Sequence, residues 1–166
     1  QNCLWPFYAG YKGQVTILDA LKSVLDVLKP DYQEFLPENT LHFKCGMMHE
    51  SAAAGELTVD VLLGNHVLDD MLVAAAGEMG ALAWSADYRH DIAPDLRAAW
   101  AQLEQNEAAL LKAKQKVHDD IIDFCARAHV KRFALSQYPS ATLNDHAMKG
   151  LNDAAYDVLV MLKESL

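Results

Sequence analysis

The sequence predicts an all-α fold, a single-domain bundle of four to five amphipathic helices with an irregular N-terminal leader. Three observations support this fold class. Long stretches place apolar residues at i, i+3, i+4 and i+7, the period of a helix with one buried face. The chain has no alternating strand pattern and no Asn-Gly or Asp-Gly hairpin signal. At 166 residues, with 52% apolar and 22% charged, it fits one globular domain over residues 1–166.

The first elements are an irregular leader and two helices. Residues 1–13 combine a proline and two glycines with four aromatic residues, and they show no helical period. A helix is predicted over residues 14–29, because Pro30 is expected to stop the apolar period that precedes it. A second helix is predicted over residues 38–54, where a proline precedes the first turn and Gly55 provides a natural end.

The remaining three helices are predicted over residues 56–84, 94–128 and 143–165. The second of these carries an apolar residue every seven positions, which is typical of a seam between packed helices. That row consists of Leu96, Leu103, Leu110, Val117 and Phe124. The last helix is expected to face the core with Leu151, Ala154, Val158 and Leu162. The five segments together predict the bundle.

The charge of the chain narrows the classes of partner. A formal net charge of −9 and an isoelectric point near 5.1 argue against a nucleic-acid or anionic-membrane partner, which requires a basic surface. No apolar run approaches the roughly 20 residues of a membrane span. We therefore expect a soluble protein, exported or cytoplasmic, and a protein partner is compatible with the acidic surface.

The stretch HFKCGMMHE suggests half of a metal site. On a helix its two histidines and its cysteine share one face, since residues three and four apart are neighbours. A similar row recurs in the fourth predicted helix. Imidazole and thiolate suit zinc or copper, and imidazole with carboxylate suits iron. If the two rows met, the ligands of the predicted site would be His42, Cys45, His49, His118, Cys125 and His129.

Two other interpretations of these residues remain open. One is a disulfide between Cys45 and Cys125, since three cysteines allow one bridge and one free thiol. The other is a set of unlinked structural residues, because free cysteine usually behaves as a small buried hydrophobe. The row that contains His118 and His129 also lies one residue away from the apolar seam, which would leave both histidines at the flank of their helix.

The stretch DHAMKG adds a resemblance to a known family. Its His146, Lys149 and Gly150 resemble the His-x-x-Lys-Gly core of histidine phosphotransfer domains, which are also helical bundles. The resemblance implies that His146 would accept a phosphoryl group, that Lys149 would screen its charge and that Gly150 would leave room for it.

These features predict a ligand-binding helical bundle that holds a transition metal, a haem or a small apolar molecule. The alternative is a non-catalytic sensory or protein-interaction module with an acidic surface. The chain has neither a Gly-x-Ser-x-Gly elbow nor a phosphate-binding Gly-rich loop, which gives nucleophilic catalysis little support. Catalysis through histidines in the core is left open, and it would require the predicted ligand site.

Overall fold

The structure is a computed structural model of the chain. It describes residues 13–19, 22–35, 41–46, 48, 58–65, 67–78, 93–138, 143 and 148–165. The chain divides into two compact units, Gln1–Leu57 and Thr58–Leu166, which are described separately. Within the described ranges, no helix is both long and apolar enough to cross a membrane.

The all-α prediction is wrong, because each unit contains a pair of parallel strands. In the first unit the order of elements is β1 (Val15–Asp19), α1 (Lys22–Phe35) and β2 (Leu41–Cys45). The two strands pair in parallel with a helix between them, which is a βαβ arrangement. The fold class is therefore mixed α and β.

Local sequence explains strand β1. Its first three residues, Val15, Thr16 and Ile17, are all β-branched, and such residues favour an extended backbone. A strand therefore forms where the sequence predicts the first turn of the helix over residues 14–29. The helix that follows continues past Pro30. The segment predicted as a helix over residues 38–54 contains β2 instead, while residue 47 and residues 49–57 lie outside the described residues.

Helix α1 covers this strand pair with an apolar side. Leu25 on the helix and Leu41 on β2 are 4% and 7% exposed, so both are buried. The rings of Tyr32 and Phe43 lie 6.3 Å apart between centroids at 41°, within the range of favourable aromatic pairs. These contacts hold the helix on the strands of the first unit.

The described part of the second unit contains six elements, whose chain order is β3, α2, α3, α4, β4 and α5. Their bounds are β3 (Val61–Asn65), α2 (Leu68–Glu78), α3 (Ala93–Glu104), α4 (Glu107–Arg127), β4 (Arg132–Ser136) and α5 (Lys149–Ser165). The two strands are parallel, with Val61 opposite Arg132 and Asn65 opposite Ser136. A backbone hydrogen bond from Val59 to Ala128 joins the segment before β3 to the end of α4, and one from Arg132 to Asp60 joins the start of β4 to the same segment.

Strands β3 and β4 were both missed at the sequence level. The apolar run VLLGN reads as part of a buried helix, because period alone cannot separate a short buried strand from a helix. Strand β4 does alternate: Phe133 and Leu135 are half-buried, whereas the residues on either side of them are exposed. The prediction of one helix over residues 56–84 is therefore wrong in its first part, where strand β3 precedes α2. Residues 79–92 lie outside the described residues.

The long helix predicted over residues 94–128 is in fact two helices. The break falls at Gln105 and Asn106, and α4 begins at Glu107. Asn106 caps the new helix, since its side-chain Oδ1 accepts a hydrogen bond of 3.1 Å from the backbone N–H of Ala109. Asparagine is among the preferred residues at this position, because it satisfies a backbone donor that the helix leaves open.

The core of the second unit lies where α2, α4 and α5 meet. Helix α4 buries one row of side chains, namely Ala113, Val117, Ile121 and Phe124. The predicted inner face of the last helix is confirmed: Leu151, Ala154, Val158 and Leu162 are at most 2% exposed. Helix α5 itself begins at Lys149, six residues after the predicted start.

Two glycines in this unit have very different surroundings. At Gly64 in β3, a Cβ atom would lie 2.6 Å from Cδ2 of Leu135, the residue opposite it on β4. At Gly150 in the first turn of α5, the nearest neighbour would be the carboxylate of Glu104, the last residue of α3. Leu135 is paired against β3 and can move little, whereas the Glu104 carboxylate is the end of a flexible side chain. A methyl group should therefore be tolerated at Gly150 better than at Gly64.

We expect Gly64→Ala to lower the free energy of unfolding by about 1–3 kcal/mol, because Leu135 must move to admit the new methyl group. Gly150→Ala is the matched control. Only the end of Glu104 must move there, and alanine favours a helix over glycine by up to about 1 kcal/mol. Urea denaturation of the wild type and both variants measures the difference. A Gly64→Ala protein at least as stable as Gly150→Ala would contradict this packing.

Candidate functional site

One face of α5 carries polar and aromatic side chains in a helical period. They are Lys149, Asn152, Asp153, Tyr156 and Asp157, at i, i+3, i+4, i+7 and i+8. The opposite side of the helix carries the buried residues of the core. Because that apolar side is fixed against the core, the polar face is held in a defined direction.

A cleft of about 370 Å³ lies along this face. Its other wall is the chain that leaves the carboxyl end of β4, with Gln137 and Tyr138. The carboxyl ends of parallel strands are a common location for ligand sites in α/β proteins. We name this the tyrosine cleft, lined by Gln137, Tyr138, Lys149, Asn152, Asp153, Tyr156 and Asp157.

The charged groups of the tyrosine cleft are held to different extents. Asp157 is fixed by Lys114 of α4, whose Nζ lies 2.6 Å from its Oδ2 and whose side chain is only 17% exposed. Lys149 and Asp153 lie 3.7 Å apart, and their side chains are 79% and 67% exposed. Such an exposed ion pair contributes little to the free energy of folding, so the ammonium and the carboxylate can each bind a charged group of a ligand instead.

The predicted metal ligands fall on different kinds of structure. His42 and Cys45 lie on β2, where residues three apart point to opposite faces of a strand instead of sharing one face. His49 lies outside the described residues. The other three predicted ligands belong to the second unit, on or just after α4. The helical face assumed for the first three is therefore not present at His42 and Cys45.

The imidazole of His118 already has hydrogen-bonding neighbours at both ring nitrogens. Its Nδ1 lies 2.8 Å from Oδ1 of Asp119, and its Nε2 lies 2.8 Å from Oγ of Ser165 at the end of α5. Gln115 donates a second hydrogen bond of 2.8 Å to the same oxygen of Asp119. A metal could bind His118 only if one of these contacts were given up.

The order Asp119, His118, Ser165 resembles a catalytic triad in its contacts, but its position argues for a structural role. A nucleophilic serine requires hydrogen-bond donors for the oxyanion that forms. Ser165 lies in the last turn of α5, where open carbonyl groups carry partial negative charge, and its hydroxyl donates to the carbonyl of Met161. We therefore interpret this cluster as a polar link between α4 and α5.

Cys125 and His129 are explained by the end of α4. Burial raises the pKa of the Cys125 thiol, which favours the neutral form over the thiolate that binds metals. His129 has a φ of 52° and follows the last helical turn. The N–H of Val130 donates to the carbonyl of Cys125 and the N–H of His129 to that of Ala126, which is a Schellman motif.

Cys45 and Cys125 are both free thiols and belong to different units of the chain, so a disulfide between them stays a prediction. Among the described residues, no group of three or more His, Cys, Asp or Glu side chains is arranged to hold a metal ion. The metal or haem site thus stays a prediction from the sequence, and the interpretation of unlinked structural residues accounts for His118, Cys125 and His129.

The resemblance to histidine phosphotransfer domains is only partly within the described residues. His146 lies outside them. Lys149 lines the tyrosine cleft, and the space above Gly150 is taken by the carboxylate of Glu104. The room that the resemblance assigns to a phosphoryl group is therefore occupied by an anion of the chain itself.

Comparison with known proteins gives no relative: no family model, no curated protein and no solved structure matches this chain. The candidate site therefore depends on its geometry alone. Sequence reasoning missed the tyrosine cleft, although one signal was present. Polar and aromatic residues recur at helical spacing in KGLNDAAYD, on the side opposite the correctly predicted apolar face.

We expect His129→Gly to raise the free energy of unfolding by about 1 kcal/mol, because glycine adopts a positive φ without the steric cost that histidine pays. His129→Ala is the matched control, since it removes the imidazole but keeps a Cβ atom. Urea denaturation in the presence and absence of a chelator measures both variants. Equal destabilisation by the two substitutions would show that the imidazole itself matters, as the metal prediction requires.

The link between α4 and α5 predicts a dependence on pH. Hydrogen bonds from His118 and Gln115 lower the pKa of Asp119 below 3.8, so its ionised form stabilises the fold at neutral pH. Asp119→Asn should lower the free energy of unfolding at pH 7 by less than about 1 kcal/mol, since the carboxylate is largely exposed.

This loss should shrink as the pH falls through the lowered pKa of Asp119, where the wild type loses the same contribution. Denaturation curves between pH 7 and pH 3 measure it. In the His118→Ala background the effect of Asp119→Asn should be smaller, because one of the two hydrogen bonds is already gone. A loss that is independent of pH and of His118 would contradict the proposed link.

Proposed function

We propose that this chain is a small-molecule-binding protein and that the tyrosine cleft is its binding site. The observation that carries the proposal is the cleft itself, about 370 Å³ between the polar face of α5 and the end of β4. Clefts of about 300–1,000 Å³ with aromatic walls and a few polar groups are typical of ligand sites. Both walls belong to the second unit and are attached to regular elements.

The two tyrosines support binding of a compact ligand with a flat apolar part. Tyr138 and Tyr156 are 52% and 58% exposed, although tyrosine rings gain free energy when they leave water. A ligand between them would cover apolar ring surface, at about 25 cal/mol for each Å² removed from water. Polar groups that would orient it are the amides of the buried Asn152 and the half-buried Gln137, and the exposed carboxylate of Asp153.

This proposal retains one part of the function predicted from the sequence and moves its location. A small-molecule ligand was expected in the core of a bundle, whereas the cleft lies on the solvent side of α5. The alternative of a sensory or protein-interaction module stays a prediction.

The proposal predicts where small molecules bind. In a fragment screen followed by ¹H–¹⁵N correlation spectra of the full chain, hits should shift the amide resonances of α5 from Lys149 to Asp157 and those of Gln137 and Tyr138. Tyr156→Ala should weaken these hits by about ten-fold, the effect of losing about 1.4 kcal/mol of ring contact.

Tyr156→Phe is the matched control, because it keeps the ring and removes only the hydroxyl; it should retain most of the affinity. Tyr156 is exposed, so neither substitution should disturb the core. If no fragment shifts the cleft resonances, or if the hits are insensitive to Tyr156→Ala, the tyrosine cleft is not the binding site.

A further inference from the structure

The carboxylate of Asp153 is the less constrained of the two negative charges that line the tyrosine cleft. Of the two aspartates that line it, Asp157 is fixed at 2.6 Å by Lys114, which comes from α4 and has a largely covered side chain. Asp153 lies one turn earlier on the same helix face, its side chain is 67% exposed, and its contact with Lys149 at 3.7 Å is loose. Asp157 is also 57% exposed, but its Oδ2 is held by Lys114, so Asp153 is the carboxylate that a cationic ligand could engage at less cost.

The aromatic walls favour the same sign of ligand charge. The face of a tyrosine ring is negative and attracts cations. Tyr156 lies three positions after Asp153 on α5, which places both on the same side of the helix. Tyr138, on the chain that follows β4, lines the same cleft. The lining has one lysine and two aspartates, a formal charge of −1, in a chain whose formal net charge is −9.

We propose that the ligand of the tyrosine cleft is an organic cation, with an ammonium or guanidinium group next to Asp153 and an apolar body between Tyr138 and Tyr156. This inference rests on the proposed function and adds the ligand class to it. Lys149 acts as the internal competitor of such a ligand: its ammonium neutralises Asp153 in the empty cleft and moves into water when the ligand cation takes its place.

An anionic ligand is disfavoured by the same arrangement. It would have to approach two carboxylates with Lys149 as the one cation of the described lining. The positive end of α5 does not compensate, because the carboxylate of Glu104 already lies over Gly150 in the first turn. The cleft should therefore rank ligands of equal shape in the order cation, neutral molecule, anion.

Three indole compounds of similar shape test this order on the full chain. Tryptamine carries an ammonium group, tryptophol a hydroxyl and indole-3-acetate a carboxylate. Dissociation constants are measured by following the amide resonances of Asp153 and Tyr156 at low ionic strength, where exposed charges are least screened. Tryptamine should bind about three- to five-fold more tightly than tryptophol, the range for an exposed ion pair and a tyrosine–cation contact.

Two substitutions should change the affinity for tryptamine in opposite directions. Asp153→Asn should remove its advantage over tryptophol, and Lys149→Gln should increase it, since the competitor is gone. Asp123→Asn is the matched control, an exposed aspartate paired with Arg127 on α4 and outside the lining; it should leave all three affinities unchanged. Both lining substitutions are at exposed positions, so folding should be preserved.

The outcomes separate this inference from the proposed function. If tryptophol binds as tightly as tryptamine, or Asp153→Asn leaves the preference intact, the ligand class is wrong while the site stands. If indole-3-acetate binds best, the class is anionic and the inference is overturned. If none of the three compounds and no fragment shifts the cleft resonances, the proposed function fails as well.

Discussion

The second unit depends on the apolar row of α4, against which α2, α3 and α5 all pack. Val117, Ile121 and Phe124 are at most 2% exposed, and burial of each such side chain contributes about 1.5–3 kcal/mol. The buried apolar side of α5 fixes the rotation of this helix, and polar contacts at its flank reinforce that rotation. The pairs Lys114–Asp157 and His118–Ser165 serve this purpose, since they join α4 to α5 at two levels.

That fixed rotation connects the core to the candidate site. With its apolar side on α4, α5 must present Asp153 and Tyr156 to solvent beside the end of β4. Each wall of the tyrosine cleft is thereby held by an element whose other side is packed or paired. The α5 wall is more defined than a free loop would be, because its side chains project from a rigid helical backbone.

Helical parts of the fold could be predicted from the sequence where one face is apolar and the other charged. The inner residues of α5 were identified correctly for this reason, as were Val117 and Phe124 of α4. The strands were missed because a parallel pair needs a partner far away in the chain. Nothing near Val61 indicates that Arg132 will lie opposite it, and a run such as VLLGN fits a buried helix equally well.

The candidate site was harder to predict for a related reason. Recurring histidines and cysteines predict a metal site from the sequence, but in the structure His129 lies at the end of a helix and His118 links two helices. The residues of the tyrosine cleft are common surface types whose significance comes only from the neighbouring end of β4. Tyr138 and Tyr156 are brought to one cleft by tertiary structure, which no local pattern encodes.

The pairing of β3 with β4 has a consequence for how the unit assembles. Val61 and Arg132 are paired although 132 − 61 = 71 positions separate them, so the strand pair closes a long loop at an entropic cost that local helix contacts avoid. Such non-local contacts slow folding. One wall of the tyrosine cleft extends from this non-local pair. An occupant of the cleft would therefore stabilise this non-local strand pair and shift the whole folding equilibrium by mass action.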